Sequence, residues 1–160
     1  MSLPVSLPIL VGELEGQPNE WRLYLNRETG EIITVTDEDI SRLESGESLE
    51  GLPDWEREGV KMAEEALYSD KYLLLPSKFD IHEYAIMRDF CYSVPYRALR
   101  EELLYKIRGS GAFRRFRRTI EYHGMIDEWY AYRDAEIEKI AIDWLEEAGI
   151  PYTRERIVNV

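Results

Sequence analysis

A chain of 160 residues with 44% hydrophobic and 12% aromatic side chains carries enough apolar material for one substantial core, which sets it apart from a disordered acidic tail. Its formal net charge of −12 at pH 7 repels nucleic acid and anionic membranes at long range. No stretch reaches the roughly 18 consecutive apolar residues of a bilayer span, and the opening residues lack a basic segment leading into a long apolar one, which argues against membrane insertion and secretion.

The expectation is therefore a single domain, residues 1–160, in the cytoplasm. Met1-Ser2-Leu3 reads equally as a vector-derived leader and carries no weight. The lone Cys91 has no internal disulfide partner and sits in a helical apolar pattern, as a buried, inert thiol does.

In chain order, Leu7 to Leu14 is apolar and fits either a short helix or a strand, with helix the preferred reading. Trp21 to Asn26 and Glu31 to Thr36 are β-rich runs joined by Arg27-Glu28-Thr29-Gly30, the pattern of a β-hairpin. Thr36 and Asp39 have capping-box spacing and open an acidic helix to about Leu43. Ser45 to Gly51 reads as loop. Pro53 then starts a helix through Trp55, Val60, Ala63 and Leu67, and Lys71 to Leu75 reads as a third strand closed by Pro76.

Asp80 is the expected N-cap of the next helix, with Glu83 at its third position and a staple between Phe79 and Tyr84. A helix from Pro95 to Arg108 places Tyr96, Leu99, Leu103, Leu104 and Ile107 on one face, and Gly109-Ser110-Gly111 breaks it. An arginine-rich helix follows from Ser110 to Tyr122, ending near Gly124. The last helix, Asp127 to Ala148, carries Tyr130, Ile137, Ala141, Trp144 and Leu145 on its apolar stripe, and Arg154 to Val160 reads as a closing strand. Strands scattered among helices without a βαβ rhythm give an α+β class, predominantly helical, with a small antiparallel sheet.

Three segments carry a family resemblance: GSGAFRRFRR at residues 109–118, Trp129-Tyr130-Ala131-Tyr132-Arg133, and Trp144 to Ile150. With the hairpin run YLNRETGEI at residues 24–32, the chain from Trp21 to Ile150 resembles Uncharacterised Protein Family 0158, a group of small bacterial proteins. The resemblance implies a bacterial, intracellular setting and carries no activity, cofactor or catalytic residue over onto these positions.

The functional signal is charge distribution. Residues 1–94 carry 8 basic and 20 acidic groups, residues 95–118 carry 8 and 2, and residues 119–160 carry 4 and 10. On a helical wheel stepping about 100° per residue from Phe113, the residues Phe116, Ile120 and Ala112 form the buried side. Arg114, Arg118 and Arg115 fall at about 100°, 140° and 200°, on one water-facing side, with Arg117 at about 40° on the stripe's edge.

This face, with Arg97, Arg100, Lys106 and Arg108 on the preceding helix, has the donors to receive phosphates of a nucleic acid or a small ligand. The acidic surplus, especially Asp37 to Glu65, favours instead pairing within the molecule or across a dimer, and Glu101 and Glu102 lie one turn from Arg97 and Lys106. A protein partner or self-association therefore ranks above nucleic acid. Gly109-Ser110-Gly111 presents backbone N–H groups as an anion site does, yet lacks phosphate-loop spacing and fits a plain connector better.

For catalysis the pieces are His82, His123 and scattered carboxylates. His123, beside Tyr122 and near Asp127 and Glu128, is the weak candidate for acid–base cleavage of a phosphodiester with arginine support, although a histidine near a helix C-terminus also compensates the dipole. Trp129, Tyr130 and Tyr132 can stack bases, but aromatics at helical spacing more often form core. Two histidines and one cysteine make no zinc spacing, Asp37-Glu38-Asp39 lacks a calcium-loop pattern, and no cofactor is expected. The reading favours a non-enzymatic interaction or regulatory domain, with a nucleic-acid-binding or RNA-processing protein centred on Arg114, Arg115, Arg118 and His123 as its rival.

Overall fold

A computed structural model describes residues 4–18, 20–46 and 48–156. Met1 to Leu3 and the end of the expected closing strand, Ile157 to Val160, lie outside the described residues. In order the elements are β1 (Val5–Ser6), α1 (Leu7–Gly16), β2 (Trp21–Asn26), β3 (Ile32–Thr36), α2 (Asp37–Ser45), α3 (Asp54–Tyr68), β4 (Tyr72–Leu74), α4 (Lys78–Ile81), α5 (Glu83–Ser93), α6 (Arg97–Lys106), α7 (Ala112–Tyr122), α8 (Ile126–Ala148) and β5 (Tyr152–Thr153). The class is α+β and predominantly helical. The chain packs as two compact units, one of residues 1–78 and 141–160, the other of residues 79–140.

In the first unit the hairpin forms as its sequence dictates. Asn26 accepts backbone hydrogen bonds from Glu28 at 2.8 Å and Thr29 at 3.2 Å through Oδ1, and Gly30 takes φ 76°, which costs glycine little. Trp21 pairs with Thr36 and Leu25 with Ile32 across the antiparallel β2–β3 ladder. On the other edge β4 joins β2, Tyr24 opposite Leu74. Tyr24, Ile33, Val35, Ile40, Ala63 and Ala66 make a core cluster, which Leu43, Leu67 and Tyr72 flank.

Thr36 Oγ1 accepts from the Asp39 amide at 3.1 Å, so the expected cap opens α2. Gly59 lets α3 approach α2, because a Cβ there would stand 2.9 Å from the Asp39 carboxylate. Arg42 ties the two helices from α2, reaching Glu38 at 2.9 Å and Glu56 at 3.2 Å.

The closing strand differs from expectation. Pairing begins at Tyr152, is parallel to β1 with Val5 opposite Tyr152, and Arg154 to Arg156 are not in a strand. A register to a strand some 147 residues away leaves no local signature.

In the second unit α5, α7 and α8 meet in an aromatic cluster. Phe116 lies 4.9 Å from Trp129 and 5.9 Å from Phe90, and Phe90 lies 5.3 Å from Trp129 and 5.4 Å from Tyr132, with tilted or edge-on rings. Such pairs add about 0.5–1.5 kcal/mol each beyond their buried area. Trp129, rather than the exposed Tyr130, is thus on the buried stripe of α8 with Ile137, and the core reading holds for Trp129, while Tyr132 is half-buried against Phe90.

Asp80 is not the cap. Residues 78–81 form α4, so Asp80 is helical, and the chain turns at His82 in the left-handed region at φ 53° before α5 begins at Glu83. Burial of Ile81 fixes that turn, while Phe79 stays exposed with its ring on His82 at 5.7 Å. Tyr84, the other half of the expected staple, instead meets Phe113 edge-on at 6.4 Å and donates to the Ile107 carbonyl at 3.0 Å. Along α6, Leu103 is buried and Ile107 follows it, but Tyr96 is exposed.

Candidate functional site

The buried side of α7 consists of Ala112, Phe116, Thr119 and Ile120, and Phe113 is half-exposed on its flank. The stripe's centre is thus rotated about 75° from Phe113. That rotation separates the arginines. Arg114 and Arg118 point directly away from the core and are exposed, whereas Arg115 lies on the edge facing the α6–α7 connector.

Arg115 is a correction to the expected water-facing trio. Its Nε donates to the Lys106 carbonyl at 2.8 Å, its Nη1 to the Ser110 carbonyl at 2.7 Å, and its Nη2 to the Arg108 carbonyl. Lys106 is the last residue of α6 and its carbonyl has no partner within the helix, so the guanidinium caps that end and ties it to the connector carbonyls of Arg108 and Ser110. Gly111 completes the connector at φ 78°, and a Cβ there would come within 3.0 Å of Arg115 Nη1. Gly109-Ser110-Gly111 is accordingly a clamped connector.

The other basic groups divide in two. Arg97 pairs with Glu101 at 3.1 Å, as its spacing predicts, and Arg100 donates to the Val94 carbonyl at 3.0 Å. Arg117 pairs with Glu121 at 3.1 Å and lies over the Tyr130 ring at 5.9 Å, and the Glu121 hydrogen bond raises its already high pKa further. Arg108 lies over the Tyr105 ring at 5.5 Å. With Lys106, Ser110 and Arg115 these two residues line an open hollow of about 640 Å³. Among the described residues, Arg114 and Arg118 have no hydrogen bond or ion pair from their side chains.

His123 is elsewhere. Its Nε2 lies 3.3 Å from Glu102 Oε2 and its ring packs edge-on against Tyr122 at 5.1 Å. Tyr96, Ala98, Leu99, Glu102, Gly124, Met125 and Glu128 line a hollow of about 580 Å³ with it, a set without arginine. The expected His123–arginine constellation is therefore not assembled on this surface. A carboxylate beside an imidazole can hold a proton, but the guanidinium that cleavage chemistry asks for is missing from that set.

Among the described residues no group of three or more His, Cys, Asp or Glu is placed to hold a metal ion. Cys91 is fully buried, and burial pushes its thiol up to about 12, so it carries no thiolate near neutral pH. Tyr132 is raised too, first by burial and then by the charges of Glu136 and Asp89.

The profile of the Uncharacterised protein family (UPF0158) matches residues 5–159. The chain belongs to this family. The match extends the UPF0158 resemblance beyond residues 21–150, through the β1 and β5 segments. No curated protein and no solved structure matches this UPF0158 chain.

One UPF0158 feature went unread in the sequence. Arg133 grips Glu83 with two bonds, Nη2–Oε1 at 2.5 Å and Nε–Oε2 at 3.2 Å, fastening α8 to the first turn of α5. Its position was legible, since Trp129, Arg133 and Ile137 follow one another at four-residue spacing on the inward side of α8.

Proposed function

We propose that this UPF0158 protein is a non-enzymatic interaction or regulatory module whose recognition surface is the outward face of α7, and that the surface takes an acidic partner. The observation that carries this reading is the pair Arg114 and Arg118, one helical turn apart and without an internal ion pair, beside the highly exposed Tyr122 and half-exposed Phe113. Arginine and tyrosine are the residues that dominate binding energy at protein interfaces. The opposite face of the helix is held by the Phe90–Phe116–Trp129 cluster and by the Arg115 clamp, so the two guanidinium groups stand on a rigid support. The lone buried thiol and the family resemblance support a bacterial, cytoplasmic setting.

The nucleic-acid reading is weaker. Arg115 and His123, two of its four central residues, are engaged with connector carbonyls and with Glu102, and Trp129 is buried where base stacking would need it open.

Binding of a glutamate-rich amphipathic helical peptide and of single-stranded RNA, each titrated against wild type and R114E/R118E, tests the proposal. Peptide binding that weakens at least about tenfold in the variant, at an unchanged melting temperature, is the expected result. No peptide binding even at low salt, or equal binding by both proteins, overturns it. RNA bound more tightly than peptide through the same two arginines replaces it with the rival.

A further inference from the structure

We infer that the partner of the α7 face is a second copy of this chain, docking through the outward face of α3. The inference rests on the reading of α7 as a recognition surface and names what that surface meets.

The α3 face is built to complement it. Trp55 is 72% exposed and Met62 40% exposed, and the exposed carboxylates Glu58 and Glu65 stand beside them. On a wheel of about 100° per residue all four fall within a sector of about 80°, opposite in character to the buried Val60, Ala63 and Ala66. An exposed tryptophan and methionine flanked by glutamates form an acidic, apolar-centred stripe. α7 offers the converse: two arginines beside the exposed Tyr122 on one face.

Glu58 and Glu65 are separated by about 10 Å along α3, and Arg114 and Arg118 by about 6 Å along α7, a difference that the long arginine side chains bridge by splaying. Arginine also stacks on tryptophan, which gives Trp55 a role in the same contact.

The charge distribution leaves the α7 unit without net repulsion toward an acidic face. Residues 79–140 carry 11 basic and 11 acidic groups, whereas residues 1–78 with 141–160 carry 9 and 21, so the entire net charge of −12 resides in the unit that holds α3. The contact sets Arg114 and Arg118 of one copy against Glu58 and Glu65 of another. Exposed ion pairs contribute little individually, so the apolar residues supply most of the affinity and the charges set the register and the choice of partner.

Sedimentation equilibrium of the full chain over a wide concentration range, at low and high salt, tests this with R114E/R118E, E58R/E65R and their equimolar mixture. Wild type is expected to exceed the protomer mass as concentration rises, less readily at high salt. Each variant alone is expected to stay monomeric with an unchanged circular dichroism spectrum. Their mixture is expected to recover association, because each then offers the other two opposite-sign contacts. W55A is expected to weaken association without changing the melting temperature.

A wild type that stays monomeric at the highest concentration, association that ignores both charge reversals, or a mixture that does not recover overturns the inference. If the monomeric wild type nevertheless binds the acidic peptide through Arg114 and Arg118, the module reading stands and only the second copy is withdrawn. If the peptide fails too, both fall.

Discussion

Arg115 turns its guanidinium onto three carbonyls of its own chain while its neighbour Arg114 faces water, one position apart in an unbroken run of charge. The two should therefore respond unequally to truncation. Arg115→Ala is expected to lower unfolding free energy by about 1–3 kcal/mol, since hydrogen bonds from a charged donor are lost and the Lys106 carbonyl at the end of α6 and two connector carbonyls lose their partner. Arg115→Lys recovers only part of this, because a single ammonium cannot reproduce the planar fork. Arg114→Ala stays within about 0.5 kcal/mol of wild type. Urea midpoints at constant slope check all three, and equal losses at positions 114 and 115 contradict the assignment. The wheel centred on Phe113 hid this difference: Thr119 and Ala112 rotate the true stripe and bring Arg115 to its edge.

The connector between α6 and α7 shows how one backbone conformation serves a whole element. Gly111→Ala is expected to destabilise by about 1–2 kcal/mol, because a left-handed residue gains a Cβ, and that atom also presses on Arg115. In an Arg115→Ala background the loss should shrink toward the backbone component alone; strictly additive losses in the double-mutant cycle would remove the coupling.

Elements whose signals are local were legible. The Thr36 cap, the Asn26 and Gly30 turn and the α7 to α8 break each depend on residues within one turn of one another. Asp80 had the same kind of signal and misled, because burial of Ile81 three positions before Tyr84 places a separate short helix there. The β1–β5 pairing and the Arg133–Glu83 grip depend on partners far along the chain, and only the spacing of Arg133 with Trp129 hinted at either. The unit edges at residues 78 and 140 fall in α4 and inside α8, where no linker composition marks them. The candidate surface was half legible: the run of arginines was visible, but not which of them the fold would keep.

Charge at the scale of the whole molecule acts on stability as well as on recognition. The net of −12 is concentrated in residues 1–78 with 141–160, so these segments repel themselves at low ionic strength. Raising sodium chloride from about 20 to about 300 mM shortens the screening length roughly fourfold and is expected to raise the melting temperature of dilute protein. Scanning calorimetry checks the sign, and a falling melting temperature contradicts it. No helix among the described residues is long and apolar enough to cross a membrane.

The parallel pairing of Val5 and Ser6 with Tyr152 and Thr153 has a bearing on biosynthesis. A nascent chain emerges from the ribosome with β1 unmatched until Tyr152 and Thr153, some 147 residues further along, have been translated. Residues 79–140, by contrast, have emerged in full before that seam can close. The order in which parts of this protein become able to fold therefore differs from the order in which they are written.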